Sequence, residues 1–459
     1  MTDAPALLWF RRDLRLDDHP ALLAAAHGGR RVLGLFVLDP TLIGGSGAPR
    51  VRFLYSCLQA LSDSTGGRLL IVAGDPTTVV PAVARHLGAA EVHISADYMP
   101  YGRRRDAAAA DALGDVALVA TGSPYAVAPG RVRKGDGTPY AVFTPFFRGW
   151  SEHGYRGPAG PGGAVEFVDG SRLHVDHRVT PADLDTADGG PELPVGGEAE
   201  ALRRWAEFRD DDLAAYKTER DRPDRAGTSR LSAYLKYGCV HPRTLLADLK
   251  RRPSEGAATF RQELAWRDFY ADLVFTRPRS AWWSIDPAVD QLQYDTGREA
   301  DTHFGAWQQG HTGYPYIDAA MRQLLAEGWM HNRARMGVAS FLIKDLHLPW
   351  QRGAEHFMNH LVDGDLASNN HGWQWAAGAG PQASPFYRVF QPVTQGLRHD
   401  PAGDYVRRYV PELRGVEGKA VHTPWERPDG VPDGYPERIV DHAAERLEAL
   451  RRWEQRPRG

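Results

Sequence analysis

Short apolar runs alternate with helical patterns through the first 130 residues. The runs are rich in Leu, Ile and Val, have the length of buried strands, and cover residues 7–10, 32–39, 69–73, 92–96 and 116–120. The helical patterns between them cover residues 50–62, 76–87 and 101–113. Strands that alternate with helices are typical of a parallel sheet with helices on both faces. This part of the chain is therefore predicted to be a doubly wound parallel α/β domain.

Helical periodicity dominates from about residue 201 onward. Pro315 stands at the start of one predicted helix, where proline is tolerated. Further helices are predicted at residues 336–343, 353–361 and 437–453. The apolar face of the helix after Pro315 consists of Ile317, Ala320, Met321, Leu324 and Leu325. The pattern predicts an all-α second domain.

A connector of different composition separates the two patterns. Residues 157–197 are rich in Gly, Pro and Asp and show little periodicity, which predicts a long surface loop. Residues 128–150 contain aromatic side chains that are predicted to dock onto a domain. The predicted boundaries are 1–130 for the α/β domain, 131–200 for the connector and 201–459 for the helical domain.

Composition supports two globular domains and narrows the class of protein. A chain of 459 residues is too long for one ordinary core. No apolar run could span a bilayer and no signal peptide is visible, so no membrane association is expected. Cys57 and Cys239 lie in apolar helical patterns, which predicts reduced core residues and agrees with a cytoplasmic location. The protein is expected to be a monomer. The net charge of −3 means that nucleic-acid binding would need a local basic face.

Polar residues are concentrated between residues 331 and 375 of the helical domain. Asn332 and Arg335 are three apart and share one helix face. Asp363 and Asp365 follow the next helix, and buried carboxylates need partners. Arg335 is the nearest candidate partner in sequence. A pocket with an ion pair, a second carboxylate, amides and indoles suits a large, flat ligand with polar edges.

Two metal-site interpretations of this segment are weaker. A calcium loop beginning at Asp363 is excluded because Ala367 and Ser368 occupy later ligand and glycine positions. His356 and His360 are four apart, as zinc ligands can be, but the glutamate of the metalloprotease motif is missing. An ordinary helix face is favoured, and no metal site is predicted. The first strand also lacks a following G-x-G-x-x-G, so the dinucleotide fingerprint is absent.

Several stretches resemble, in order, the DNA photolyase and cryptochrome family. They read WFRRDLRLDDHP near the N-terminus, GTSRLSAYLKYG at 227–238, ELAWRDFY at 263–270 and TGYPYIDAAMRQLLAEGWMHNRARM at 312–336, followed by the rest of the 331–375 segment. The resemblance covers nearly the whole chain and is strongest to a class I cyclobutane pyrimidine dimer photolyase. It implies an FAD cofactor, damaged DNA as the partner, and dimer repair by an electron from excited, reduced FAD.

The resemblance implies which side chains hold FAD. Hydroxyls and exposed amides ahead of a helix, at residues 227–232, suit a pyrophosphate, although such residues also form ordinary helix caps. Asn369 is implied to face flavin N5, where an amide can accept a hydrogen bond without adding charge. The implied FAD residues are Tyr216, Thr228, Ser229, Arg230, Leu231, Ser232, Trp266, Arg267, Asn332, Arg335, Asp363, Asp365 and Asn369.

The resemblance also implies a lesion site. Enzymes for (6-4) photoproducts usually carry two successive histidines where this chain has His331 and Asn332, which favours cyclobutane dimers. Tryptophans can stack on a pyrimidine dimer that has flipped out of the duplex, while Glu263 forms a hydrogen bond to the polar edge of the dimer. Glu263 and Asn369 are the candidate catalytic residues of this site. The implied lesion and DNA contacts are Arg220, Glu263, Trp266, Asn332, Arg333, Met336, Trp375 and Arg398. Any single arginine could equally be a solvated surface residue.

Members of the family commonly have three tryptophans that pass electrons inward to oxidised flavin. Trp373 and Trp350 match the first two by motif. At the third place, ungapped spacing gives Gly297 and a three-residue shift gives Tyr294. Tyr294 is therefore the candidate third donor. The alternative is that Tyr294 is only a packed aromatic and that another route exists.

A second, light-harvesting chromophore is implied for the first domain. The sequence Tyr101-Gly102-Arg103 resembles the deazaflavin type, and the folate-type Asn-Glu pair is absent there, so a deazaflavin is favoured over a folate. The antenna candidates are Phe36, Asp39, Arg50, Asp97 and Arg103. Ordinary roles at strand ends and helix starts stay open for each of them.

Two other functions compete with dimer repair. One is a cryptochrome-type blue-light photoreceptor, and the other is a flavin electron-transfer protein without a DNA substrate. Repair is favoured by Glu263, Met336, Asn369 and Trp375. A resemblance to a family does not by itself decide the function, because one family can include several functions.

Overall fold

The computed structural model describes residues 4–184, 190–380 and 387–457. Its single sheet has six strands in the order β5-β4-β1-β2-β3-β6. The strands are β1 (Ala6–Phe10), β2 (Val32–Leu38), β3 (Leu70–Ala73), β4 (Glu91–Ile94), β5 (Ala117–Ala120) and β6 (Arg178–Val179). β1 to β5 are parallel, as predicted. β6 was not predicted; this two-residue strand comes from the connector and pairs antiparallel with β3, and it is too short to produce a pattern.

Helices cover both faces of the sheet. They are α1 (Pro20–Ala25), α2 (Pro40–Gly44), α3 (Ala48–Ser64), α4 (Pro76–Leu87) and α5 (Pro100–Leu113). Each of the five has proline in its first turn, where the missing N–H costs no hydrogen bond. β1 and β2 are buried along their whole length, which explains why they read as continuous apolar runs.

The connector contains a helix that the sequence did not reveal. Helix α6 (Phe143–His153) buries Phe146 and Trp150. The indole Nε1–H of Trp150 donates to Asp268 Oδ2 (3.0 Å), and the ring of Phe143 stacks on Trp266. The predicted docking of these aromatics is thus confirmed, and their target is the helical domain. Residues 185–189 of the connector lie outside the described residues.

The described residues after the connector are mostly helical, as predicted. Its helices are α7 (Glu198–Glu207), α8 (Tyr216–Glu219), α9 (Ser232–Tyr237), α10 (Pro242–Arg251), α11 (Glu255–Thr276), α12 (Pro287–Asp290), α13 (Arg298–Gln309), α14 (Pro315–Glu327), α15 (Asn332–Lys344), α16 (Trp350–His360), α17 (Leu366–Ala377), α18 (Pro392–His399), α19 (Asp404–Tyr409) and α20 (His442–Glu454). α14 begins at Pro315 as expected. α20 begins five residues later than the predicted 437 because Asp441 caps it, accepting from the N–H groups of Ala443 and Ala444.

One of the buried hydrophobic clusters spans both domains. Phe36 and Cys57 of the first domain belong to the same buried cluster as Cys239 and Phe269 of the second. The free thiols of Cys57 and Cys239 are fully buried, and their Sγ atoms lie 3.5 Å apart. Among the described helices, none is long and apolar enough to cross a membrane.

Candidate functional site

A cavity of about 370 Å³ opens between the helices of the second domain. Helices α8, α9, α11, α15, α16 and α17 all contribute side chains to its wall. Its volume is in the range of small-molecule and cofactor sites. The residues that the resemblance assigned to FAD all line it, namely Tyr216, Thr228, Ser229, Arg230, Leu231, Ser232, Trp266, Arg267, Asn332, Arg335, Asp363, Asp365 and Asn369.

The expected ion pair is present in the cavity wall. Arg335 Nη2 lies 2.8 Å from Asp363 Oδ2, and Arg335 Nε donates to the carbonyl of Met330 (2.8 Å). The second oxygen, Asp363 Oδ1, is buried and accepts no hydrogen bond from the described part of the chain. A buried carboxylate oxygen without a donor is costly. The cavity therefore presents an acceptor to a ligand N–H or O–H.

Asp365 forms an ion pair with a residue of the other domain. Arg12 Nη2, in the loop after β1, lies 2.6 Å from Asp365 Oδ2. Asp365 Oδ1 accepts from the Ser368 N–H (3.1 Å) and so caps α17. Burial alone would raise the pKa of Asp365, but the charges of Arg12 and Lys236 hold it well below its usual range. This pair could not be predicted from the sequence, because its members are 353 residues apart.

Lys236 is a cavity residue that sequence reasoning missed. Burial, together with the nearby positive charge of Arg12, lowers the pKa of Lys236 to about 7. An anionic ligand close to the amine would raise that pKa again. The amine would then carry its positive charge beside the bound anion.

The loop ahead of α9 presents hydroxyl groups to the cavity. Thr228 and Ser229 line the cavity, and Ser229 Oγ accepts from the Leu231 N–H (3.4 Å). Arg230 has a left-handed backbone (φ 48°) and is held by Glu327 (2.8 Å). Hydroxyls and N–H groups of this kind are suitable donors to phosphate oxygens.

The lesion candidates divide into two groups. Arg220, Glu263, Trp266, Asn332 and Met336 line the cavity. The half-buried Glu263 accepts from Arg220 Nη1 (2.6 Å); burial raises the pKa of Glu263, and Arg220 opposes that rise. Trp375, Arg333 and Arg398 are not in the cavity wall.

These last three lie outside the cavity. Arg333 pairs with Asp221 (2.6 Å) and contacts the Met336 sulfur (3.7 Å), so it lies next to a cavity residue. Arg398 is exposed on α18. The ring of Trp375 is tilted by 48° against that of Phe390, with centroids 6.3 Å apart.

A connector residue stacks on one of the aromatic residues of the cavity wall. The ring of Phe143 lies parallel to Trp266, with a centroid distance of 3.6 Å and an interplanar angle of 9°. Sequence reasoning assigned Phe143 no site role, since it precedes Trp266 by more than 120 positions. The stack fixes the plane of a cavity tryptophan.

Asn369 has one oxygen available. Its Nδ2 donates to the Ala354 carbonyl (3.1 Å) and to Asn370 Oδ1 (2.8 Å). With the amide nitrogen engaged, Oδ1 is left as an acceptor at a cavity residue. This orientation agrees with the acceptor role that the sequence implied.

The candidate electron-transfer residues begin at the cavity wall. Trp373 lines the cavity, and its ring packs where a side chain on Gly353 of α16 would be. Trp350 lies on α16, one turn before Gly353, and is fully buried. Tyr294 is half-buried and its hydroxyl donates to the Val289 carbonyl (2.9 Å). Trp307, which was not predicted here, also meets Trp373 edge to face with centroids 6.1 Å apart.

The antenna candidates are tied to different parts of the molecule. Asp39 caps α2 and accepts from the hydroxyl of Tyr101. Asp97 pairs with Arg105 (3.4 Å), and Phe36 is part of the buried core. Arg50 donates to the Met358 carbonyl, and the Arg103 guanidinium lies 4.9 Å from the centroid of Phe275. Both arginines thus contact the helical domain.

The two histidines considered as zinc ligands form a local pair only. The rings of His356 and His360 have centroids 4.2 Å apart, and His356 bonds to Gln308 Nε2 (3.1 Å). In the described part of the chain, no group of three or more His, Cys, Asp or Glu side chains could hold a metal ion.

Comparisons with known proteins agree with this geometry. A model of the DNA photolyase domain matches residues 6–162, and a model of the FAD binding domain of DNA photolyase matches residues 260–455. Deoxyribodipyrimidine photo-lyase from Streptomyces griseus is 41% identical over 455 residues, covering 96% of this chain and 97% of that protein. The chain belongs to the DNA photolyase family. It is accordingly a flavin-dependent lyase of DNA repair.

Solved structures of photolyase relatives share the whole fold. A class III photolyase from Agrobacterium tumefaciens superimposes with a TM-score of 0.90 at 35% identity, covering 99% of this chain and 98% of that one. A cryptochrome from Synechocystis gives a TM-score of 0.89 at 26% identity, covering 98% of this chain and 100% of that one. The fold therefore does not separate repair enzymes from photoreceptors.

The cavity of this photolyase suits FAD in shape and in chemistry. The unpartnered Asp363 Oδ1 can accept from an imide N–H or a ribityl hydroxyl of a flavin. Lys236 and the Thr228–Ser229 hydroxyls can meet its phosphates. Gly372 lines the cavity, and a Cβ there would meet nothing within 4 Å, so the wall leaves room for a ligand.

Proposed function

We propose that this photolyase repairs cyclobutane pyrimidine dimers in DNA with light. The observation that carries the proposal is that Glu263, Trp266, Asn332 and Met336 line the same cavity as the FAD candidates. A pyrimidine dimer flipped out of the duplex would lie against that wall. Bound FAD supplies light-driven, one-electron donation, and the chain supplies position and a dry environment.

The lesion-facing side chains match the chemistry of a pyrimidine dimer. The indole of Trp266, backed by Phe143, offers a rigid flat surface for stacking. Glu263, positioned by Arg220, can accept from an imide N–H or, when protonated, donate to a carbonyl. The Asn332 amide provides a donor and an acceptor in the same wall.

Phosphate contacts would come from the arginines beside the cavity. Arg398 is exposed, and Arg333 is held near the mouth by Asp221. These arginines would have to provide the local basic face that a chain of net charge −3 needs for DNA. Because the site lies within one chain, we propose that a cytoplasmic monomer is sufficient for activity.

A strand-repair assay tests the proposal directly. Under near-ultraviolet or blue light, the reduced, FAD-loaded protein should convert cyclobutane dimers back to intact pyrimidines. It should not repair (6-4) photoproducts. Repair of only the (6-4) lesion would contradict the substrate assignment, and no repair of either would favour a cryptochrome-type photoreceptor. Failure to bind damaged DNA at all would favour a flavin electron-transfer protein.

Variants of the lesion residues make the assay specific. We expect Glu263→Ala and Trp375→Ala to weaken dimer binding or repair while FAD content stays unchanged, with each lost base stack costing about 1–3 kcal/mol. Trp375 lies outside the cavity wall, so wild-type repair by Trp375→Ala would remove it from the lesion site. The same result for Glu263→Ala would remove the carboxylate.

We also propose a deazaflavin as the second chromophore, bound to the first domain near Asp39 and Tyr101, whose side chains are hydrogen-bonded. Reconstitution with a deazaflavin and, separately, with a folate should give energy transfer to FAD only for the deazaflavin. Binding and transfer by the folate alone would contradict this assignment.

Recharging of oxidised flavin is proposed to run through Trp373 and Trp350. Both indoles are buried; Trp350 is the first residue of α16, and the ring of Trp373 packs against Gly353 one turn later in that helix. Tyr294 is the proposed outer donor, but its hydroxyl donates to a backbone carbonyl, which is a poor proton acceptor. We therefore expect Trp373→Phe and Trp350→Phe to suppress photoreduction, and Tyr294→Phe to have a smaller effect.

A further inference from the structure

The indole of Trp350 is connected to a carboxylate by two consecutive hydrogen bonds. Trp350 Nε1 donates to Ser284 Oγ (3.0 Å), and Ser284 Oγ donates to Asp290 Oδ1 (2.6 Å). The Ser284 N–H also donates to Asp290 Oδ2 (2.9 Å), which fixes the carboxylate against the serine. Trp350 is fully buried, Ser284 is nearly so, and Asp290 is half-buried. The line therefore runs from a dry indole toward solvent.

An oxidised indole in this place needs somewhere to send its proton. A tryptophan that loses one electron becomes a cation, and an unneutralised charge in a dry site is costly. Tyr294 does not accept this proton, because its phenol is itself a donor, to the Val289 carbonyl.

We propose that Ser284 and Asp290 form a proton relay that deprotonates Trp350 when it is oxidised. The inference rests on the proposed path through Trp373 and Trp350. One electron moves from Trp350 to oxidised Trp373. The Nε1 proton of Trp350 moves to Ser284 Oγ as the hydroxyl proton of Ser284 moves to Asp290 Oδ1. The products are a neutral Trp350 radical and a protonated Asp290, and Ser284 is unchanged.

The relay slows the return of the electron. Once the proton has reached Asp290, Trp350 can regain an electron only with a proton, so the direct back reaction is impeded. A thiol reductant can later donate the electron, and Asp290 returns the proton. Gln351 Nε2 donates to Asp290 Oδ1 (3.1 Å) and keeps the carboxylate oriented during this cycle.

The test uses the FAD-loaded protein and reads the protonation state of the tryptophan radical. A flash on oxidised flavin, followed by transient absorption, distinguishes the cationic from the neutral radical, and the experiment is repeated in D₂O. The wild-type protein should form the neutral radical with a slower rate in D₂O. Ser284→Ala and Asp290→Asn should each slow deprotonation by about 10²-fold, the scale of catalysis by a positioned acid or base, and shorten the lifetime of the separated charges.

Two further variants make the result specific. Ser284→Thr keeps a hydroxyl and should restore deprotonation. Asp286→Asn is the matched control: Asp286 is an exposed cap of the neighbouring α12, and asparagine caps equally well. FAD content and thermal unfolding of every variant establish that the fold is intact.

The outcomes separate the relay from the path on which it rests. A persistent cationic radical in the wild type, or unchanged deprotonation in Ser284→Ala, overturns the relay. An effect of Asp290→Asn without one of Ser284→Ala would mean that Asp290 acts by charge alone, which also overturns it. Unchanged photoreduction in Trp350→Phe would instead refute the proposed path.

Discussion

Arg12 of the first domain lies 2.6 Å from Asp365, whose backbone begins the helix that carries Asn369 and Trp373. The pair is mostly buried, with side-chain exposures of 22% and 13%. The first domain thus supports the candidate FAD cavity directly, in addition to the antenna role proposed for it.

Removing this guanidinium should destabilise the protein and change its acid response. Arg12→Gln leaves Asp365 partly buried without its main counter-charge, so we expect a loss of about 3 kcal/mol in the free energy of unfolding at neutral pH. Because the folded-state pKa of Asp365 is depressed, its contribution is complete at neutral pH and is lost as the pH falls below about 4. Urea denaturation at several pH values should show a flatter acid limb in the variant.

Arg203→Gln is the control for this prediction. Arg203 pairs with Glu200 and Glu207 on the exposed face of α7. Exposed pairs on a helix contribute little to stability. Equal effects of the two substitutions would contradict a special role for Arg12.

Gly353→Ala should disturb Trp373. A Cβ at residue 353 would overlap the ring of Trp373, and overpacking of this kind costs about 1–3 kcal/mol. We expect a lower melting temperature and weaker photoreduction. Gly305→Ala, in the middle of α13 with nothing within 4 Å of the new Cβ, should instead be neutral or stabilise by up to about 1 kcal/mol. Normal photoreduction in Gly353→Ala would argue against a route through Trp373.

Asp268 lies where α6 contacts α11, and it should make the free energy of unfolding depend on pH. Burial raises the pKa of Asp268 from its ordinary value to about 6. Since the folded state binds this proton more tightly than the unfolded state, wild-type stability gains about 2–3 kcal/mol from Asp268 as the pH falls from above 6 to below 4.

Asp268→Asn removes this titration. Its side-chain oxygen can still accept from the Val127 N–H and from Trp150 Nε1. The difference in unfolding free energy between wild type and variant should therefore vary between pH 7 and pH 4. A constant difference would mean that Asp268 titrates normally.

Phe143→Ala should weaken lesion binding without releasing FAD. The stack on Trp266 contributes about 0.5–1.5 kcal/mol beyond its buried area, and its loss lets the indole tilt. Affinity for a dimer-containing oligonucleotide should fall several-fold, while FAD content stays constant. Phe143→Tyr keeps the ring and should bind normally.

Phe147→Ala is the matched control for Phe143. Phe147 stacks on Phe143 with a centroid distance of 5.7 Å, whereas Trp266 makes its own ring contacts with Phe143, Phe269 and Tyr270. A larger loss of affinity in Phe147→Ala than in Phe143→Ala would show that the whole helix, and not the stack, supports the lesion site.

The periodic elements of this photolyase were determined by local sequence. Strands such as β2 are buried on both faces and therefore read as uninterrupted apolar runs. The start of α14 at Pro315 could be predicted because proline itself restricts the backbone. The ordered family motifs also predicted residues that prove to line one cavity, such as Thr228, Arg335 and Asp363.

Tertiary structure alone decided the contacts between distant segments. No periodicity could pair Arg12 with Asp365, stack Phe143 on Trp266, or bring Cys57 and Cys239 within 3.5 Å. The antiparallel β6 was equally invisible, because two residues held by pairing with β3 carry no pattern. These contacts depend on how the two domains pack, and packing is a property of surfaces that the chain forms only after its helices and strands have come together.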